Sequence, residues 1–223
     1  MRLMQAMGIG CVLDVGANAG QFGEALIHHG FGGLLISFEP LSESFKALRE
    51  TSRRHPDWHC RPLAIGAENG EATINISENR VSSSILQAKP WSIEEHAPIA
   101  VSSREIVTVR RLDAIWDELP FPEPRPPIMV KIDVQGFEPQ VIAGLGACID
   151  HVDLLLLEAS LIPVYDGESP IEIIIADMRR RGLQPVWIGP GWGSETTGQI
   201  FQCDIAFAHQ SVVKVFRGAA GTR

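Results

Sequence analysis

The sequence of 223 residues lacks the features that identify several large classes of protein. No apolar run approaches the ~20 residues that a membrane helix needs, and the N-terminus has no apolar core of a secretory signal peptide. The four cysteines form no C-x-x-C pair, the seven histidines show no ligand spacing, and the net charge is −8. We expect no nucleic-acid partner, because such a partner requires a clustered basic face. The short apolar runs predict no transmembrane segment, and the scattered cysteines predict reduced thiols in a cytoplasmic location.

Strand patterns alternate with amphipathic helix patterns along the chain and predict an α/β fold. One domain over residues 1–223 accounts for this length most simply, since a domain usually holds about 100–200 residues. An inserted β-ribbon and loop are predicted over about 71–111. Within that insertion, residues 78–104 are polar and broken by prolines, which is typical of a lid, a binding loop or a disordered insertion. The last residues, about 210–223, are expected to fray.

The most informative segment is Val12–Gly23, which reads VLDVGANAGQFG. Three of the four residues Val12–Val15 are apolar and β-prone, as a strand buried on both faces requires. Gly16 and Gly20 then allow a sharp turn and a close approach of the backbone to a ligand. The segment therefore predicts a strand, a ligand-binding turn and the start of a helix.

The glycine spacing distinguishes a dinucleotide cofactor from other cofactors that contain a nucleoside. From Asp14 to Gly20 the chain reads D-x-G-x-x-x-G, whereas a dinucleotide site has G-x-G-x-x-G to seat a pyrophosphate. Glu39 ends the next predicted strand, Leu34–Phe38, where a carboxylate accepts hydrogen bonds from both hydroxyls of a ribose. NAD stays open as an alternative because Glu39 suits it equally well. The absence of a Tyr-x-x-x-Lys pattern counts against an NAD-dependent oxidoreductase, since the only tyrosine, Tyr165, has no lysine four residues later.

Further charged residues end the predicted strands in the second half of the chain. Lys131 and Asp133 share one face of the strand Ile128–Val134, because side chains two residues apart point the same way. Such a pair is costly inside a sheet unless its members meet each other or a ligand. Asp133 is therefore the first candidate catalytic residue, with a structural ion pair as the alternative. Glu158 follows the predicted strand His151–Leu157 and reaches the same sheet edge.

Taken together, these segments resemble the FkbM-type methyltransferases, a branch of the class I fold that uses S-adenosylmethionine (SAM). The resemblance covers nearly the whole chain and rests on VLDVGANAGQFG, FEP at 38–40, VKIDVQGFEPQVIAGL at 130–145, LLEAS at 156–160 and QCDIAFA at 202–208. It implies a Rossmann-like sheet of seven strands, mostly parallel, with an antiparallel last strand. It also implies O-methylation of a hydroxyl on a sugar, glycolipid or polyketide-type acceptor, a small molecule or glycan.

The resemblance also implies where SAM binds. The methionine end of SAM would contact the turn at 14–20, and the ribose would contact Glu39. The adenine would contact the residues after the third strand, and a serine pair would close over it. The cofactor-binding residues expected on this basis are Asp14, Gly16, Ala17, Asn18, Gly20, Phe22, Glu39, Pro40, Ala64, Ile65, Ser83, Ser84 and Gln135. Little chain precedes the first strand, so the helical segment that often covers this site is expected to be missing or to come from another protomer, as in a homodimer.

For the chemistry, we expect Asp133 to accept the proton of the acceptor hydroxyl, Lys131 to set its charge state, and Glu138 or Glu158 to orient the substrate. In a second scheme, Asp133, Glu138 and Glu158 hold a divalent cation such as Mg²⁺, and the sequence does not separate the two schemes. Two other functions stay open: an NAD-dependent oxidoreductase, and a non-catalytic protein of the SAM-binding fold that acts as an interaction partner.

Overall fold

The computed structural model describes residues 1–209, so the predicted tail at about 210–223 lies outside the described residues. The strands are β1 Cys11–Val15, β2 Leu34–Phe38, β3 Trp58–Arg61, β4 Ala64–Ile65, β5 Gly70–Ser77, β6 Val101–Arg110, β7 Ile128–Ile132, β8 Leu154–Ser160, β9 Leu183–Ile188 and β10 Gln202–His209. The α-helices are α1 Arg2–Ala6, α2 Gln21–His28, α3 Ser42–Ser52, α4 Pro90–Glu95, α5 Leu112–Ile115, α6 Glu138–Leu145 and α7 Ile171–Arg180. Within the part described, no helix combines the length and the apolar character needed to cross a membrane.

Seven strands form the main sheet in the order β3-β2-β1-β7-β8-β10-β9. The first five run parallel, and β10 is antiparallel to both of its neighbours. This arrangement confirms the predicted fold, a mostly parallel sheet that ends in antiparallel pairing. The strand order reverses between β1 and β7, and in open α/β sheets the crevice at the carboxyl ends of two such strands is where ligands bind.

Helices cover both faces of this sheet because its strands carry apolar side chains on both sides. On one face, Leu13 belongs to a core that includes residues of α5, α6 and α7. On the other face, Val12 packs in a core shared with α1, α2 and α3. The short helix α1 precedes the first strand, and its Met4 is buried in that second core.

The insertion contains the expected antiparallel ribbon, formed by β5 and β6. Residues 58–65 contain two separate strands, because β3 pairs with β2 whereas β4 pairs with β6 in a separate three-stranded sheet. Pro62 lies at the break, where its missing N–H and fixed φ interrupt strand pairing. The polar stretch 78–104 is not structureless, since it contains α4 and the beginning of β6.

One boundary near the site also differs from expectation. The strand predicted at His151–Leu157 begins three residues later, because residues Gly146–His151 form a 3₁₀ helix. Glu158 therefore lies within β8 and not after it. The helix α7 begins after Pro170, which occupies the N-cap position, and no side chain caps the helix.

Candidate active site

A glycine-rich turn connects β1 to α2 at the crevice between β1 and β7. Three of its residues have left-handed backbones: Gly16 at φ 80°, Asn18 at φ 47° and Gly20 at φ 95°. Asparagine tolerates this region better than most residues because its short amide bonds locally, and here Asn18 Oδ1 accepts a hydrogen bond of 2.7 Å from the amide of Ala19.

Glu39 holds this turn in place from the end of β2. Its Oε2 accepts a hydrogen bond of 2.8 Å from the amide of Asn18, and its Oε1 accepts one of 2.9 Å from the amide of Leu41. Burial raises the pKa of Glu39 to about 7, although both amides oppose the shift. Each carboxylate oxygen keeps an unused lone pair, so Glu39 has the capacity to accept hydrogen bonds from ribose hydroxyls as well.

A first cleft opens beside Glu39 and is lined mainly by apolar side chains, which suits a flat heterocycle. Nine of the predicted cofactor residues contribute to its walls: Gly16, Asn18, Glu39, Pro40, Ala64, Ile65, Ser83, Ser84 and Gln135. Gly16 and Asp133 lie at the end nearest β1 and β7. An adenosine group therefore fits this cleft by the chemistry of its walls, with the carboxylate at one side.

A second cleft, of about 320 Å³, adjoins the first at Gly16, Asn18, Val81 and Asp133. Its lining includes Ala17 and Phe22 on the turn and helix side, and Lys131 and Glu158 on the sheet side. Whereas the first cleft is mostly apolar, this one gathers charged groups.

Lys131 lies at the bottom of the second cleft between two carboxylates. Its Nζ is 3.3 Å from Asp14 Oδ1 and 3.3 Å from Asp133 Oδ2, and it donates a hydrogen bond of 3.2 Å to the carbonyl oxygen of Gly16. Burial lowers the pKa of Lys131, but Asp133 and Asp14 outweigh that effect and hold the pKa above its usual value. Lys131 is therefore a permanent cation beside Asp133.

Gln135 joins the two carboxylates that face the cleft. Its left-handed backbone, at φ 57°, turns the side chain toward them. The amide Nε2 donates hydrogen bonds of 2.9 Å to Asp133 Oδ1 and 2.8 Å to Glu158 Oε2, while Oε1 accepts one of 2.8 Å from the hydroxyl of Tyr165. Burial raises the pKa of Glu158 well above its usual value, and the nearby Asp133 adds to the shift.

Residues 80–85 close over both clefts. Asn18 Nδ2 donates a hydrogen bond of 3.3 Å to the carbonyl oxygen of Arg80, and Ser84 Oγ donates one of 2.6 Å to the carbonyl oxygen of Gln135. Ser83 Oγ accepts a hydrogen bond of 3.1 Å from the amide of Ser77, which ties this segment to the end of β5. These contacts tie the segment to both the glycine-rich turn and the β7 loop, while its role as a lid or binding loop stays a prediction.

Comparison with known protein families identifies the chain. The family model described as the methyltransferase FkbM domain matches residues 14–185, which include the turn, Glu39 and every residue that lines the charged cleft except Asp204. The chain belongs to the FkbM methyltransferase family. It is therefore a SAM-dependent methyltransferase. This membership favours SAM over NAD as the cofactor and argues against an NAD-dependent oxidoreductase. The comparison with curated proteins found no match.

Solved structures resemble this FkbM methyltransferase in fold. One is magnesium protoporphyrin IX methyltransferase from Synechocystis PCC 6803 with bound SAM, with a TM-score of 0.50 and 9% sequence identity over 94% of this chain and 74% of that chain. A second is a putative tRNA (m1A22) methyltransferase from Streptococcus pneumoniae in complex with SAM, at TM-score 0.46 and 11% identity over 94% and 72% of the two chains. At this identity the likeness concerns the fold alone.

Three residues that sequence analysis placed at the site of this methyltransferase line neither cleft. Asp14 is 0% exposed and meets Lys131 from behind, so it does not line the clefts. Gly20 faces the protein interior, where an added Cβ would lie 3.0 Å from Leu48 and 3.1 Å from Trp58. Protein packing and the left-handed backbone thus require glycine at position 20, and a contact of Gly20 with the cofactor stays a prediction.

Glu138 is the third. It is 2% exposed, and its Oε1 accepts hydrogen bonds from the amides of Val134 and Gly136, at 3.0 and 3.2 Å. It therefore supports the loop after β7 from within and does not orient a substrate. Across residues 1–209, no group of three or more His, Cys, Asp or Glu side chains is arranged to hold a metal ion, so the cluster of Asp133, Glu138 and Glu158 does not form.

The structure also brings in residues that sequence analysis did not select. Asp204 lines the second cleft and lies opposite Glu158 in the register of β10 with β8; an aspartate inside an apolar strand was an available signal. Val81 borders both clefts, and Tyr165 reaches the site from a loop far away in sequence. For those two, no local pattern marks the contact.

Proposed function

We propose that this methyltransferase acts on oxygen and transfers the methyl group of SAM to a hydroxyl of a small-molecule, glycan or glycolipid acceptor, with Asp133 as the general base. The observation that carries the proposal is the position of Asp133. Its side chain is 37% exposed at the junction of the two clefts, whereas its neighbours Asp14 and Lys131 are buried behind it. It is thus a carboxylate aimed at the place where an acceptor would meet the cofactor.

SAM, when bound, supplies a methyl group that its sulfonium already activates. The residues of the chain must orient the acceptor oxygen and receive its proton at a carboxylate oxygen of Asp133. Lys131 keeps a positive charge next to that carboxylate, and Gln135 fixes its direction through Oδ1. Glu158, held by the same amide, is placed to hydrogen-bond the acceptor.

Magnitudes indicate how these roles divide. Orientation of two reactants is worth up to about 7–11 kcal/mol, whereas a general base contributes typically about 10²–10⁴-fold. The segment 80–85 and the hydrogen bonds of Gln135 should therefore contribute as much to the rate as the base itself. A cytoplasmic location, one domain over 1–223 and a homodimer stay predictions.

The test is a comparison of hydroxyl acceptors with matched amines. The protein is incubated with SAM and a panel of sugars and alkyl glucosides, and in parallel with the corresponding amino sugars, and methylated products are located by mass spectrometry. We expect methyl ethers whose formation the Asp133→Asn variant loses. Methylation confined to nitrogen, or ether formation at an undiminished rate in that variant, would overturn the proposal.

A further inference from the structure

One face of the sheet changes from charged to apolar within a few residues. Side chains two positions apart share a face, so the residues that precede the cleft carboxylates on the same face follow directly from the strand sequences. Behind Asp133, Glu158 and Asp204 lie Met129 on β7, Leu154 and Leu156 on β8, and Ala206 and Ala208 on β10. Because a strand rises about 3.3 Å per residue, this apolar surface begins roughly 7 Å from the carboxylates on β8 and β10. On β7 the buried Lys131 lies between Asp133 and Met129.

Part of that apolar surface is the floor of a groove of about 760 Å³. Met4 of α1 and Leu26 of α2 form one wall. Trp187 of β9 forms the opposite wall; it pairs with Ala206 across the sheet and is 46% exposed. The groove has the size of a small-molecule site, for which about 300–1,000 Å³ is typical.

The groove opens into the charged cleft. Phe22, Leu156 and Asp204 line both. A molecule that presents a hydroxyl to Asp133 can therefore extend along Leu156 into apolar surroundings without leaving the protein.

We propose that this groove binds an apolar portion of the methyl acceptor, so that the acceptor is an amphiphile with a hydroxyl-bearing polar end and a hydrocarbon portion of several carbons. This inference rests on the proposed function of the charged cleft, and it narrows the acceptor class. Continuity with the cleft, together with the concave shape between α1 and β9, favours a small ligand over a second copy of the chain.

The groove can be observed directly because methionines mark it. The chain has five methionines; Met1, Met4 and Met129 line the groove, whereas Met178 is buried on the opposite face of the sheet. With ¹³C-methyl methionine, NMR titration with 1-octanol should shift the Met4 and Met129 signals and leave that of Met178 in place. Since burial of one methylene strengthens binding about fourfold, 1-octanol should bind at least tenfold more tightly than 1-butanol.

A matched pair of variants tests the location. Ala25 is an exposed alanine of α2 at the rim of the groove, and Ala47 is an exposed alanine of α3 that does not line it. Ala25→Trp should fill the groove and weaken 1-octanol binding at least tenfold, whereas Ala47→Trp should leave it unchanged. Equal affinity for the two alcohols, or undiminished 1-octanol binding in Ala25→Trp, would overturn the proposal.

Two further measurements separate the alternatives. Sedimentation that shows a dimer which Ala25→Trp dissociates would assign the groove to a second copy and overturn the proposal; a monomer, or a dimer that the variant leaves intact, supports it. Binding of S-adenosylhomocysteine is measured separately by calorimetry. If that binding is absent while the chain-length dependence holds, the proposed function fails and the apolar site stands.

Discussion

Gly16 and Asp133 meet through their backbones where the strand order of the sheet reverses. A Cβ added to Gly16 would lie 1.9 Å from the main-chain carbonyl oxygen of Asp133, and Gly16 has φ 80°. The first glycine of the turn is thus required because the loop after β7 packs directly against it. This contact fixes the candidate base relative to the cofactor turn.

Gly16→Ala should therefore be far more damaging than its backbone angle alone predicts. Gly182 is the matched control, since it also has φ 80° but no atom lies within 4 Å of an added Cβ. Gly182→Ala should lower the free energy of unfolding by roughly 1–2 kcal/mol, the cost of a left-handed backbone. Gly16→Ala should cost more than about 3 kcal/mol and abolish S-adenosylhomocysteine binding. Urea unfolding and calorimetry measure both; equal losses in the two variants would contradict the backbone contact.

Asp133→Asn should reduce kcat at least about a hundredfold while the affinity for S-adenosylhomocysteine changes less than about threefold, because a general base adds about 10²–10⁴-fold to the rate. The amide keeps the shape of the side chain but cannot take a proton. Asp166, which is exposed and lines neither cleft, provides the control Asp166→Asn. A parallel fall of kcat and cofactor affinity would instead mean that Asp133 holds the cofactor turn.

The parts of this site that sequence could predict are those governed by local rules. Apolar strands, a left-handed turn and the position of Glu39 after β2 follow from side-chain type and spacing. Alternation alone would even place Asp14 on the cleft side, since it shares a sheet face with its register partner Lys131; Asp14 is hidden because it lies further inside the sheet, where it is fully buried. Sequence analysis placed Asp14 at the cofactor, because a family motif marks a segment and not the burial of each side chain.

The parts that escaped prediction depend on contacts between distant segments. The hydroxyl of Tyr165 donates a hydrogen bond to Gln135 Oε1 and also lies 3.1 Å from the carbonyl oxygen of Ser82, 83 positions away. No periodicity in either segment encodes that meeting. Glu138 likewise looks like any acidic residue at a helix start, where a negative charge complements the dipole. Only the fold of the β7 loop shows that it turns inward.

Glu138 should prove a stability residue. Glu138→Ala leaves the buried amides of Val134 and Gly136 without their acceptor, which should cost at least about 2 kcal/mol of the free energy of unfolding. Glu138→Gln keeps an oxygen acceptor and should cost less than about 1 kcal/mol at pH 5. Burial raises the pKa of Glu138 to about 8, so the native state binds an extra proton between the unfolded value near 4.5 and about 8. Wild-type stability should therefore fall through that window as pH rises.

Chemical unfolding at pH 5, 6, 7 and 8 measures this effect. Because glutamine does not titrate, Glu138→Gln should gain on the wild type steadily toward pH 8. A constant difference between the two proteins across the range would show that Glu138 is ionised throughout.

Glu39 should make cofactor binding depend on pH near neutrality. Burial raises its pKa to about 7, and ribose hydroxyls donate best to the ionised carboxylate, so the affinity for S-adenosylhomocysteine should fall as pH drops through about 7. Each further unit below the pKa reduces the ionised fraction about tenfold, which predicts binding roughly tenfold weaker at pH 6 than at pH 8. Glu39→Gln should bind S-adenosylhomocysteine more weakly than the wild type at pH 8 and lose most of the pH dependence.

Calorimetric titrations of both proteins at pH 6, 7 and 8 measure how the affinity changes with pH. The same slope in the two proteins would assign the titration to another group, of which Glu158 and Asp204 in the adjoining cleft are the nearest candidates, since burial raises the pKa of each.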